Sequence, residues 1–134
     1  MIGLDTNVLV RYILQDDPRQ SALATTLIEN LSAQTPGFVP LVAVVELVWV
    51  LASAYRLAPG QVAQALETLL RTKEIVVDQA ETVWKALRAF QGSRADFADC
   101  LIAQTALAAG CERTVTFDRV AALEGRMTLV PQSA

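Results

Sequence analysis

Apolar residues fall along this chain in two rhythms: short runs that end at an acid, and longer stretches that repeat at helical spacing. Met1 to Leu4 is apolar and closes at Asp5, Thr6 and Asn7, after which Val8, Leu9, Tyr12 and Ile13 recur on one helix face. The pattern predicts a buried strand that stops at Asp5 and a helix that begins beside it. Asp16, Asp17 and Pro18 mark a stop and a restart, with Asp17 as cap, Pro18 at the first helical position and Leu23, Leu27, Ile28 and Leu31 as the apolar stripe. Ser32 to Gly37 reads as a loop, and Phe38 and Val39 as a short strand before Pro40. From Leu41 to Tyr55 the chain is apolar nearly all round, the pattern of a helix buried on several sides, and its one acid is Glu46.

Leu57 to Gly60 breaks the pattern, and Val62, Leu66, Leu69 and Leu70 then form one helix face opposed by Gln61, Gln64, Glu67 and Arg71. Glu74 to Val77 reads as a strand. Asp78, with Glu81 three residues on, has the form of a capping box at the head of a helix carrying Val83, Trp84, Leu87 and Phe90. Gly92 to Ala95 is a turn, and Asp96 to Ala109 a helix rich in small residues that ends at Gly110. Arg113 to Phe117 is β-branched and aromatic and stops at Asp118, as the first strand stops at Asp5; a short helix, Val120 to Glu124, and a last strand, Met127 to Val130, follow. Strands alternating with helices predict an α/β fold: a single domain over residues 1–134, with a mostly parallel central sheet flanked by helices in three α/β/α layers. Ligands bind such sheets beyond the carboxyl ends of the strands, where Asp5 and Asp118 fall.

Composition adds to this picture in three places. The chain is 53% hydrophobic and only 19% charged, an apolar excess for a small monomer that predicts a partner or a second copy over part of its surface. Phe38 to Tyr55 is the most apolar stretch, but Pro40 and Glu46 interrupt it and it lacks basic flanks, so no membrane span is expected. The N-terminus opens on an apolar strand with no basic leader, which makes the cytoplasm the expected location.

Chemistry is narrowed by what is missing. The chain has no histidine, which excludes Ser-His and Cys-His nucleophiles and the paired-histidine route to RNA cleavage. Its two cysteines, Cys100 and Cys111, are separated by roughly 16 Å if helix joins them, too far for a disulfide, and without histidine they make a structural zinc site implausible. A net charge of −3 leaves no overall basic footprint, so any nucleic-acid contact is local. A hydrolase built from this composition works through carboxylates and metal ions.

Five acids stand apart from the solvated ones. Asp5 and Asp118 each end a strand; Glu46 lies inside VAVVELVWV, where burial of an unpaired charge would cost several kcal/mol. Asp96 and Asp99 share one face of the first turn of a helix, near its positive end. Taken singly each has an ordinary explanation: Asp5 or Thr6 and Asp96 as helix caps, Asp118 as a turn former, Glu46 as one half of an ion pair. A divalent cation gives all the placements a single cause, because hard carboxylate ligands repel one another unless Mg²⁺ or Mn²⁺ sits among them.

LDTNVLV at the start, an acid within an apolar helix about forty residues on, DFADCLIAQTALAAGC, and TVTFD near the end resemble the PIN-domain ribonucleases, especially the toxins of bacterial VapBC toxin-antitoxin pairs. The resemblance covers nearly the whole chain. It implies that Asp5, Glu46, Asp99 and Asp118 are the catalytic, metal-binding acids, with Asp96 as an accessory acid and Thr6, Asn7 and Thr116 as neighbours that orient them. It also implies Mg²⁺ or Mn²⁺ as cofactor, endonucleolytic cleavage of single-stranded or looped RNA leaving a 5′-phosphate, and a small antitoxin protein as partner. Cys100 and Leu101 follow Asp99 where the family more often has alanine and leucine, with no chemical consequence.

Arg11, Arg94 and Arg119 lie close in sequence to these acids and are candidate phosphate contacts. The Leu41 to Leu70 region, with an over-apolar helix followed by an amphipathic one, is the expected homodimer face. Two other readings compete. A phosphatase of the haloacid dehalogenase type requires an acid two residues after its nucleophile, where this chain has Asn7. A catalytically silent PIN-like interaction module would be expected to have lost some of the acids, and all are present.

Overall fold

The computed structural model describes residues 1–131. By its internal contacts the chain divides into two compact units, Met1–Ala80 and Glu81–Ala134. In the first, β1 (Ile2–Gly3) leads into α1 (Thr6–Leu14) and α2 (Pro18–Glu29), then β2 (Gly37–Val39), α3 (Leu41–Ser53), α4 (Pro59–Arg71) and β3 (Ile75–Val77). The three strands form a parallel sheet in the order β1-β2-β3, with Gly37 opposite both Ile2 and Ile75. Parallel neighbours need a crossover between them, and the two helix pairs supply it.

Local chemistry sets the boundaries. Asp5 stands at the carboxyl end of β1 in an extended conformation, and its carboxylate accepts from the Thr6 N–H at 2.8 Å, capping α1. Asp17 caps α2 by accepting from the Gln20 N–H at 2.9 Å, with Pro18 at the first position. Gly37 sits in a tight place: a Cβ there would come within 2.8 Å of Leu4 Cδ1 and 2.9 Å of Leu31 Cδ1, and both leucines would have to shift. Along β3, Ile75 and Val77 are buried while Val76 is 44% exposed, the alternation of a strand packed on one face.

The expected burial of α3 on several sides is corrected by the structure. Ala43, Val44, Leu47, Val48 and Leu51 form its packed face, but Val42 and Trp49 are 75% and 65% exposed and Val45 shares their side. An apolar stripe therefore runs along the outside of a helix whose inside is already filled.

The second unit holds α5 (Ala80–Gln91, whose first residue is the last of the first unit), α6 (Phe97–Ala108), β4 (Val115–Thr116), α7 (Arg119–Glu124) and β5 (Thr128–Leu129). β4 and β5 pair in parallel in a two-stranded sheet, so the strand that precedes Asp118 bonds to β5 and not into the β1-β2-β3 ladder. Val83, Ala86, Leu87, Phe97, Cys100 and Leu101 are buried, and the Phe90 and Phe97 rings meet edge to face at 5.9 Å. Helix α6 ends in a Schellman motif: the Cys111 N–H donates to Ala106 O and the Gly110 N–H to Leu107 O, with Gly110 at φ +94°. Asp78 does not cap α5, contrary to its sequence context. The helix begins at Ala80, the residue before it, Gln79, is left-handed at φ +52°, and the Asp78 N–H extends the sheet by donating to Val39 O.

Candidate active site

In the first unit, Asp5, Thr6, Asn7, Val10, Arg11, Glu46, Val50 and Tyr55 line one cavity of about 260 Å³. Strand β1 delivers Asp5 to its edge, α1 supplies Thr6, Asn7 and Arg11, and α3 brings in Glu46. The sequence places Glu46 within an apolar helix, yet its side chain is exposed, so the burial penalty expected for it does not arise. The reason lies in α3 itself: Glu46 falls on the outward side with Val42, Val45 and Trp49. Thr6 is different. It is 6% exposed, and among the described residues its Oγ1 makes no hydrogen bond, an orphaned polar atom beside the Asp5 carboxylate.

Arg11 is held through two of its three guanidinium nitrogens. Its Nε donates to Gln20 Oε1 at 2.8 Å; its Nη1 donates to Tyr55 Oη at 3.0 Å and to both Asp16 carboxylate oxygens at 3.0 and 3.1 Å. Tyr55 Oη in turn donates to Asp16 Oδ2 at 2.9 Å, which closes a three-way ring. The Tyr55 hydrogen bond, with the Asp16 charge, holds the guanidinium pKa above its usual value, and the same phenol, with Arg11, holds the Asp16 carboxyl below its own. The sequence marks Asp16 only as a helix stop and gives no sign of a site role for Tyr55 or Gln20. Tyr55 is 44 positions from Arg11 and 39 from Asp16, so no local spacing reveals the ring.

In the second unit, Asp96 and Asp118 each cap a helix. The Asp96 carboxylate accepts from the Ala98 N–H at 2.6 Å, and the Asp118 carboxylate accepts from the Val120 and Ala121 N–H groups at 2.8 and 3.2 Å. Thr116 orients Asp118, its hydroxyl accepting from the Asp118 N–H at 3.0 Å. Asp99 sits in the first turn of α6, half-buried. Burial, and then the charges of Asp96 and Asp118, push its carboxyl pKa up. Asp99 is thus close enough to both for their charges to act on it. Burial also raises the Cys100 thiol, with the Asp99 charge adding to it; Cys100 and Cys111 are both free. Arg94 and Arg119 are exposed, and the Arg94 backbone N–H donates to Glu124 Oε2 at 3.3 Å.

The PIN domain family model matches residues 2–123. The chain belongs to the PIN-domain family. This PIN domain is 24% identical over 116 residues to a VapC ribonuclease of Aquifex aeolicus (strain VF5), a match that covers 87% of this chain and 86% of that protein. The resemblance carried by LDTNVLV, DFADCLIAQTALAAGC and TVTFD is therefore upheld at the level of the family. Among the described residues, no group of three or more His, Cys, Asp or Glu side chains stands close enough together to hold a metal ion. The donors present nonetheless suit a hard divalent ion. They are carboxylates throughout, one of them disfavoured in its charged form by burial and then by its acidic neighbours, with an unpartnered hydroxyl at the other cluster. No helix among the described residues is long and apolar enough to cross a membrane.

Proposed function

We propose that this PIN domain is a Mg²⁺- or Mn²⁺-dependent endoribonuclease, the toxin of a bacterial type II toxin-antitoxin pair acting in the cytoplasm. The observation that carries the reading is the family match over residues 2–123, a span that contains Asp5, Glu46, Asp99 and Asp118. The likeness to a VapC ribonuclease supports the ribonuclease and toxin assignment, and a cognate antitoxin follows from it as the protein partner.

In this reading Asp5, Glu46, Asp99 and Asp118 are the acids that hold the metal, with Asp96 accessory to them. A divalent ion would supply charge for the scissile phosphate and a more acidic water for in-line attack. The chain's own residues do the rest. The helix caps fix the Asp5, Asp96 and Asp118 carboxylates by hydrogen bonds to backbone N–H groups, so they are held in place before substrate arrives. Thr116 steadies the turn that carries Asp118. In a chain without histidine, a carboxylate is the base available to take the proton from the attacking water. Single-stranded or looped RNA is the substrate class, because its bases can be splayed out while its phosphates reach a local site on an acidic protein. Arg11, Arg94 and Arg119 are the proposed phosphate contacts.

The exposed stripe of Val42, Val45 and Trp49 on α3 supports a homodimer through this helix. The metal assignment is tested by titrating Mn²⁺ into the protein and following free Mn²⁺ by electron paramagnetic resonance. Uptake by the wild type, lost in Asp5→Asn and in Asp99→Asn, is expected; equal uptake by all three forms would contradict the assignment of these acids.

A further inference from the structure

We propose that Tyr55 is a positioning residue for RNA binding: with Asp16 it locks the Arg11 guanidinium at the wall of the cavity that contains Asp5 and Glu46, leaving Nη2 to donate to a substrate phosphate. The inference rests on the ribonuclease reading and deepens it. An arginine side chain is long and has several freely rotating bonds, so a solvated one must be ordered at the moment it grips a ligand. Here that ordering is already done. Nε is taken by Gln20 and Nη1 by Tyr55 and Asp16, whereas among the described residues Nη2 makes no hydrogen bond. The Arg11 and Asp16 side chains are 29% and 32% exposed, so the ring lies at the protein surface, where a ligand can reach it.

The Tyr55 hydroxyl is what closes the ring. It accepts from Arg11 Nη1 and donates to Asp16 Oδ2, a pair of bonds that the hydroxyl makes by being donor and acceptor at once. Its position is set by the end of α3, two residues beyond Ser53, so the helix that carries Glu46 also fixes the clamp. Arg11 also lines a second, larger cavity of about 480 Å³ with Asn7, Gln20, Leu23 and Leu27, and Asn7 is shared by both. A phosphodiester chain following the two cavities passes Arg11, whose Nη2 is left to donate. Because Asp16 offsets the arginine's charge, the contribution is a directed hydrogen bond more than a long-range attraction, and its salt dependence is correspondingly weak.

The test compares Tyr55→Phe, Arg11→Lys and the double variant. Binding of a short mixed-sequence single-stranded RNA is followed by fluorescence anisotropy on an Asp118→Asn background in Mn²⁺, which keeps the RNA intact. Cleavage kinetics on the parent background give KM and kcat separately. Arg11→Lys is expected to raise Kd about tenfold, and Tyr55→Phe about threefold, through the cost of ordering a freed side chain. The Tyr55→Phe loss falls mainly on KM, and the double variant binds no worse than Arg11→Lys, since the phenol acts through the guanidinium. Tyr55→Phe with wild-type Kd and KM, or effects that add in the double variant, would overturn the inference while leaving the ribonuclease reading intact. A wild type that neither binds nor cleaves RNA would overturn both.

Discussion

Replacing Thr6 by valine should make the protein more stable and less functional. The hydroxyl is buried at 6% exposure and has no hydrogen-bond partner among the described residues, a state that costs about 1–3 kcal/mol relative to a group without the polar atom. Valine keeps the β-branched shape at the first position of α1 and leaves the Thr6 backbone N–H free to donate to Asp5. For a 134-residue chain, with an unfolding entropy of about 2 cal/mol/K per residue, the relief amounts to a rise in Tm of about 4–10 °C. The assay is thermal unfolding with chelator present, wild type beside Thr6→Val, followed by RNA cleavage in Mn²⁺. A fall in Tm would show instead that the hydroxyl has a partner in the folded protein. A stabilised variant that cleaves RNA at the wild-type rate would show that the orphaned atom has no part in the site.

Asp99 carries a pH signature. Its carboxyl pKa is raised in the folded state, so without metal the folded chain binds more protons than the unfolded one between the ordinary and the raised value, and stability falls as pH rises through that window. Asp99→Asn should remove that slope and be the more stable form at neutral pH in chelator; unfolding curves that keep the slope would assign it elsewhere. Leu47 is fully buried in α3, and Leu47→Ala should cost about 2–5 kcal/mol in urea unfolding, with a loss below about 1 kcal/mol contradicting its place in the core. Trp49→Lys, on the exposed side of the same helix, should shift sedimentation toward monomer, and a wild type that is monomeric across micromolar concentrations would remove the dimer proposal.

Much of this architecture could be read from local chemistry. Asp17 beside Pro18, Asp96 before a helix of small residues, and Gly110 after it each act within a few positions, and each does what its neighbours predict. Asp5 and Asp118 follow their strands as expected, and the pairing within each sheet is parallel. The failures share a cause, which is that they depend on partners remote in sequence. Asp78 has the neighbours of a cap, but its backbone is claimed by the β2-β3 ladder and Gln79 turns left-handed before the helix begins. An all-round apolar helix does not announce which side it packs, so Glu46 was expected inside and lies outside with Trp49. The Arg11, Asp16 and Tyr55 ring joins α1 to the residue beyond α3 across some forty positions, and no periodicity connects them.

We propose that the acids of this PIN domain cut RNA with the help of a divalent ion. The most direct test is to incubate the purified chain with a pool of structured RNAs in Mg²⁺ or Mn²⁺ and in chelator, beside an Asp5→Asn form whose fold has been verified. Asparagine keeps the size of the side chain and removes its charge. Cleavage that requires the metal, leaves 5′-phosphate ends and is lost in Asp5→Asn is the predicted result. Cleavage that persists in chelator, or at an equal rate in Asp5→Asn, would show that the ion or this acid, respectively, is not needed.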